Sequence, residues 1–209
     1  MRAVTKGIFR ENPLIAHLAG LAPALMVSTH LVYGFTIAVG MIGVSLAAVS
    51  TLYPLRGYLT RRAGLTISLL VLAAYVTFLQ RILELINPYL VEKLWVFLPI
   101  LAVNCVILYT GRQRAGSYGE LLAESFGRSV GYAGALVLLT VLRELLAFGT
   151  LTFSVSPGGG QVVSVLPGGL VSVAGYLAGG FMLLGYLRAL FQKALLAKAE
   201  AEEAEEGSE

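Results

Sequence analysis

Hydrophobic residues in this chain come in long unbroken runs rather than at strand or amphipathic-helix intervals. Six runs can be read, over residues 13–32, 34–53, 64–86, 94–110, 129–147 and 162–191. At about 1.5 Å of rise per residue, each is roughly long enough to cross ~30 Å of hydrocarbon, the fourth only marginally. Pro13, Pro23 and Pro99, with Gly20, interrupt the first and fourth runs, because each proline removes a backbone donor. The pattern predicts an all-α integral membrane protein with six transmembrane helices, the first and fourth of them broken.

The runs also divide into two halves of three, about 12–87 and 93–192 within one membrane domain spanning 12–192. Sliding the first run onto the fourth sets Ala22 opposite Cys105, each about ten residues into its run and so near mid-membrane. With three crossings per half, the second half enters from the opposite side, which makes a 3+3 inverted repeat. Such repeats favour broken helices that meet at the bilayer midplane.

Charge placement gives the orientation. Residues 1–11 form a polar, basic N-terminal segment. With Arg56, Arg61, Arg62, Arg112, Arg114, Arg128, Arg188, Lys193 and Lys198, its three bases put twelve on one side. Lys93, Arg81 and Arg143 are the three on the other. Cytoplasmic flanks hold such an excess, so both termini are expected on the cytoplasmic side of a cell (inner) membrane. The stretch Ser154–Gly169, with two Pro-Gly-Gly turns, then reads as a flexible external loop. Residues 199–209 are acidic and read as a disordered, solvated tail.

Composition narrows the chemistry. The chain is 57% hydrophobic and 13% charged, against about a quarter charged in a soluble domain. Its bases are scattered along loops rather than gathered on a face, which excludes a nucleic-acid surface. There is no Asp, so no Ser-His-Asp set exists, and one cysteine permits no internal disulfide. The remaining candidates are membrane-embedded charges. Arg81 and Glu84 stand at i,i+3 spacing and can pair locally. Arg143 and Glu144 are adjacent, point different ways and need other partners. Either set serves as interfacial structural charge or as an ion path. Small-residue faces at Gly34/Ala38, Gly40/Val44 and Gly175/Gly179 predict packing against another membrane subunit.

Several separated motifs, in order, resemble the E subunit of the Rnf complex and the D subunit of the Na+-pumping NADH:quinone oxidoreductase (Nqr). They are Lys6-Gly-Ile-Phe-Arg-Glu-Asn-Pro-Leu-Ile-Ala-His-Leu-Ala-Gly-Leu-Ala-Pro-Ala-Leu25, Val103-Asn-Cys-Val-Ile-Leu108, Ala135-Leu-Val-Leu-Leu139, Val141-Leu-Arg-Glu-Leu145, Gly149-Thr-Leu151 and Leu166-Pro-Gly-Gly169. The resemblance runs to about Leu190. It implies a six-helix inverted-repeat subunit, with half-helices one and four, paired with a homologous sister in opposite orientation. It also implies a [2Fe-2S] cluster shared between the two, with two cysteines from each. Flavins and further iron–sulfur centres would sit on other Rnf/Nqr-type subunits, and electron flow would drive Na+ or H+ across the membrane.

The chain departs from that pattern at one ligand. Cys105 matches one family cysteine, but Ala22 stands where the other is expected in Gly20-Leu-Ala-Pro23. Cys105 is thus the single metal-ligand candidate, against its reading as a small buried core residue. His17 and His30 lie too far along the helix from position 22 to replace the thiolate simply, and each reads as an interface histidine. Near the end of the third helix, Gln80 aligns with a family acid that Glu84 would replace one turn later. The function expected is that of a core subunit of a redox-driven ion-translocating oxidoreductase, without turnover by itself. The alternative is a transporter-like or structural subunit that keeps the fold without the cluster.

Overall fold

A computed structural model of the chain describes residues 25, 27–55, 57, 63–99, 101–102, 117–154, 160–165 and 172–206. Ala22, Cys105 and His17, with most of the first and fourth runs, lie outside the described residues.

Among the described residues, three helices are long and apolar enough to cross a membrane. They are α1 (Leu31–Leu55), α2 (Ala63–Ile86) and α4 (Tyr118–Phe148); a short α3 (Pro88–Leu94) follows α2. Asn87 starts α3 by accepting the Leu90 backbone N–H on its side chain at 3.1 Å, with Pro88 at the first position, where a missing donor costs nothing. After α4 come two strands, β1 (Thr150–Thr152) and β2 (Val162–Ser164), a 3₁₀ turn over Ser172–Gly175, and α5 (Leu177–Glu206).

Among the described residues, α1 packs against both α4 and α2. Its buried residues Gly34, Ile37, Ala38, Met41, Ser45 and Ala48 recur at three- and four-residue intervals, which is one helix face. That face lies principally against α4 and less extensively against α2. Met41, Leu52, Leu72, Tyr132, Leu136 and Leu139 have essentially no exposed surface. Hydroxyl contacts also tie the helices, among them Ser45 with Ser129 at 2.7 Å and Thr51 with Tyr75 at 2.5 Å. The outer helix is α2, whose Leu65, Leu70, Phe78, Leu85 and Ile86 are exposed.

The glycines expected to face another subunit are used within the chain. A Cβ on Gly34 would run into the Thr140 side chain of α4, and one on Gly40 would sit 2.7 Å from Leu79 Cδ2 of α2. One on Gly179 would meet the Val173 carbonyl. Close helix approach, not a free face, is what these positions provide.

Two further expectations change. The sixth run was expected to be helical from residue 162, and Ser154–Gly169 to be an external loop without regular structure. Instead, β1 and β2 form an antiparallel hairpin in the register Thr150↔Ser164, Leu151↔Val163, Thr152↔Val162. The apolar helix starts at Leu177. β-Branched Val162 and Val163 suit a strand as well as they suit a hydropathy window. At the other end, the α5 backbone continues to Glu206, into the stretch read as a tail.

Candidate functional site

The site is built where α4 ends. Gly149 closes the helix in the left-handed conformation, at φ 68°, and its N–H bonds the Leu145 carbonyl at 3.0 Å. A glycine is favoured there because a side chain would strain that backbone. The Gly149 carbonyl then accepts the Val165 N–H at 2.8 Å, which closes the hairpin onto the helix end.

One turn before that end lie Arg143 and Glu144, 2% and 0% exposed. Being adjacent, they leave the helix about 100° apart, and each meets a different break in the chain. The Arg143 guanidinium donates to the carbonyls of Ala174 at 2.9 Å and Gly175 at 3.1 Å, both in the 3₁₀ turn. It also donates to Ser28 Oγ at 2.9 Å and to the Leu25 carbonyl. Those carbonyls sit near the ends of helical backbone, where donors are scarce, and the Leu25 carbonyl also accepts from Ser28 Oγ at 3.1 Å. A planar, five-donor fork satisfies several at once.

Glu144 does the complementary task. Oε2 accepts the backbone N–H of Leu31, the first residue of α1, at 2.6 Å. Oε1 accepts the N–H and hydroxyl of Thr152 on β1, at 2.9 and 2.5 Å, with His30 Nδ1 at 3.3 Å. A carboxylate at a helix N-terminus and a cation at carbonyl ends are each placed with the backbone dipoles rather than against them. Among the described residues, no buried side-chain polar atom is left without a partner.

His30 ties the site to its surroundings. Its ring stacks on Phe148 at 5.6 Å between centroids and meets Tyr33 edge-on at 5.5 Å. Nothing in the sequence singles out Ser28 or Thr152 as partners of the two charges. The one available signal is the polar triplet Ser28-Thr29-His30 inside an apolar run, which marks the turn before α1.

Glu84 belongs to a separate place. It pairs with Arg81 at 2.7 Å and accepts from Gln80 Nε2 at 3.4 Å along one face of α2, with the Arg81 side chain 74% exposed. This is the local i,i+3 pairing expected of these residues. Among the described residues, no group of three or more His, Cys, Asp or Glu could hold a metal ion.

The family pattern described as "Rnf-Nqr subunit, membrane protein" matches residues 1–188. The chain is 29% identical to the E subunit of the Na(+)-translocating ferredoxin:NAD(+) oxidoreductase complex of Acetobacterium woodii, over 86% of this chain and 94% of that protein. It is 28% identical to the E subunit of an ion-translocating oxidoreductase complex of Methanosarcina acetivorans, over 70% of each. It is 31% identical to the corresponding E subunit of Pseudomonas paraeruginosa, over 69% of this chain and 62% of the other.

Proposed function

The chain belongs to the Rnf-Nqr family of membrane subunits, and on that premise we propose that it is the E-type core subunit of an Rnf-like ion-translocating oxidoreductase complex. The observation that carries the reading is the near full-length match to the E subunit of A. woodii, over 94% of that protein. The three long apolar helices support the membrane assignment. In this reading the chain pairs with a six-helix sister of opposite orientation, alongside the complex's other subunits. Both termini are cytoplasmic, on the side with the excess of bases.

The shared [2Fe-2S] centre meets a limit in the donor set. A cluster of this kind is held by four thiolates, and the expected two-plus-two arrangement needs a pair from each subunit. This chain has one cysteine, with Ala22 at the other position. Its own donors therefore do not complete the site, and no electron-transfer step is assigned to them. At most, Cys105 supplies one ligand beside two thiolates from the sister, with a fourth, non-cysteine ligand from that partner or from a shifted first helix. The single cysteine equally favours the second reading, a subunit that keeps the fold and the assembly without a cluster.

The test is iron content and EPR of the complex, purified through a tag on this chain, for wild type and Cys105→Ser. A [2Fe-2S] signal lost in Cys105→Ser, with assembly intact, supports ligation. Unchanged iron and EPR signals in the variant exclude Cys105 as a ligand, and a wild type that holds no iron at this interface favours the cluster-less reading. Failure to purify with any other subunit overturns the membership in a complex.

A further inference from the structure

Glu144 Oε1 is over-subscribed. A carboxylate oxygen offers about two lone-pair sites, yet three donors converge on this one. Thr152 takes the two short contacts, through its N–H at 2.9 Å and its hydroxyl at 2.5 Å. His30 Nδ1 is held at 3.3 Å, beyond the usual range for such a bond. Oε2 has the Leu31 N–H at 2.6 Å. The two contenders for Oε1 belong to different parts of the molecule. Thr152 is the hairpin's anchor: its side chain is buried, whereas all three residues of β2 are exposed. His30 is the last residue before α1, and its side chain is 37% exposed.

We propose that Glu144 Oε1 is a two-position switch, held either by Thr152 of the external hairpin or by His30 at the head of α1. The state described is the hairpin-held one. If β1 withdraws, Oε1 loses both short donors, and a carboxylate buried until then needs a replacement donor. His30 stands one short step away and takes the vacated position. The hairpin and the turn before α1 are thereby coupled through a single atom, so displacing one re-seats the other. Other charged or titratable groups face this position from each packed element: Arg143 on α4, whose donors are occupied by the carbonyls and Ser28, and Tyr33 on α1, edge-on to the His30 ring.

A competition and a plain structural clamp predict opposite signs. Amide hydrogen exchange is measured on the complex purified through a tag on this chain, for His30→Ala, His30→Gln and Thr152→Val. Under competition, His30→Ala leaves Oε1 to Thr152, and exchange at the residue 152 amide slows about threefold or more. His30→Gln, which can donate to the same oxygen, restores the wild-type rate. Thr152→Val speeds that exchange about tenfold, as expected for losing a bond to a charged group. A faster rate at residue 152 in His30→Ala, or equal rates in His30→Ala and His30→Gln, would overturn the switch and leave His30 a packing residue. Diethylpyrocarbonate modification of His30 gives an independent reading in variants that assemble poorly. It should fall at least threefold in Thr152→Val, and unchanged modification would likewise refute the exchange.

Discussion

Replacing Arg143 tests whether its charge or its fork of donors matters. The side chain holds four acceptors: the carbonyls of Leu25, Ala174 and Gly175, and Ser28 Oγ. At about 1–1.5 kcal/mol per bond, losing all four costs roughly 4–6 kcal/mol, less if membrane hydrogen bonds are worth nearer ~0.6 each. Against this, removing a buried guanidinium relieves up to ~2.5–3.5 kcal/mol, the cost at a bilayer centre. Arg143 lies five residues from the helix end at Phe148, about 8 Å, so the relief falls short of that ceiling. Arg143→Met should therefore destabilise by about 1–3 kcal/mol. Arg143→Lys keeps the charge and its desolvation, yet a single ammonium cannot span acceptors in two separate segments. Lysine should be no better than methionine. The assay is the thermal midpoint of the fluorescently tagged chain by size exclusion in mild detergent, read as a rank order because such unfolding is irreversible. The order wild type, methionine, lysine is expected. A lysine variant close to wild type would refute the reasoning and make the charge itself the essential property.

Two further expectations follow from the packing and the topology. Gly34→Val should destabilise by about 1–3 kcal/mol, since its side chain must displace Thr140, whereas Gly43→Ala should be neutral or slightly stabilising because nothing lies within 4 Å of its Cβ position; thermal midpoints of the two variants decide. In whole cells, a Ser154→Cys variant in a Cys105→Ser background should react with a membrane-impermeant maleimide, and labelling only after permeabilisation would invert the orientation.

The long helices were legible because hydrocarbon imposes one requirement, a sustained apolar run, and α2 over Ala63–Ile86 is nearly the run read from sequence. The hairpin was not, since Val162 and Val163 satisfy a hydropathy window as readily as a strand, and a three-residue strand carries no period to detect. The same asymmetry holds at the site. Arg143 and Glu144 were visible as opposite charges at the end of an apolar run. Their partners were largely invisible: three backbone carbonyls, two backbone N–H groups, and the short side chains of Ser28 and Thr152. Backbone atoms have no residue type, so no spacing could reveal them. The glycine faces misled for a related reason: sequence marks where a helix can be approached closely, not by whom.

Adjacent opposite charges near the end of an apolar helix suggest a mutual salt bridge, whereas each of these two bonds to other partners. Arg143 and Glu144 diverge, one to carbonyl ends and one to the N-terminal end of α1. Their signs are dictated by which end of the backbone each must satisfy. A charge buried at this depth is tolerated because its bonds replace those that water would have made to the broken helices. An ion moving through this place would have to displace a donor before Glu144 could face it. Glu84 is differently placed. With Arg81 and Gln80 on the same helix, it is held by local contacts along α2 rather than by the fold. An exposed ion pair such as that with Arg81 contributes at most about 1 kcal/mol. A partner's charge could therefore reorganise it without unfolding anything, whereas the dyad on α4 cannot move without releasing the hairpin, the 3₁₀ turn or the head of α1.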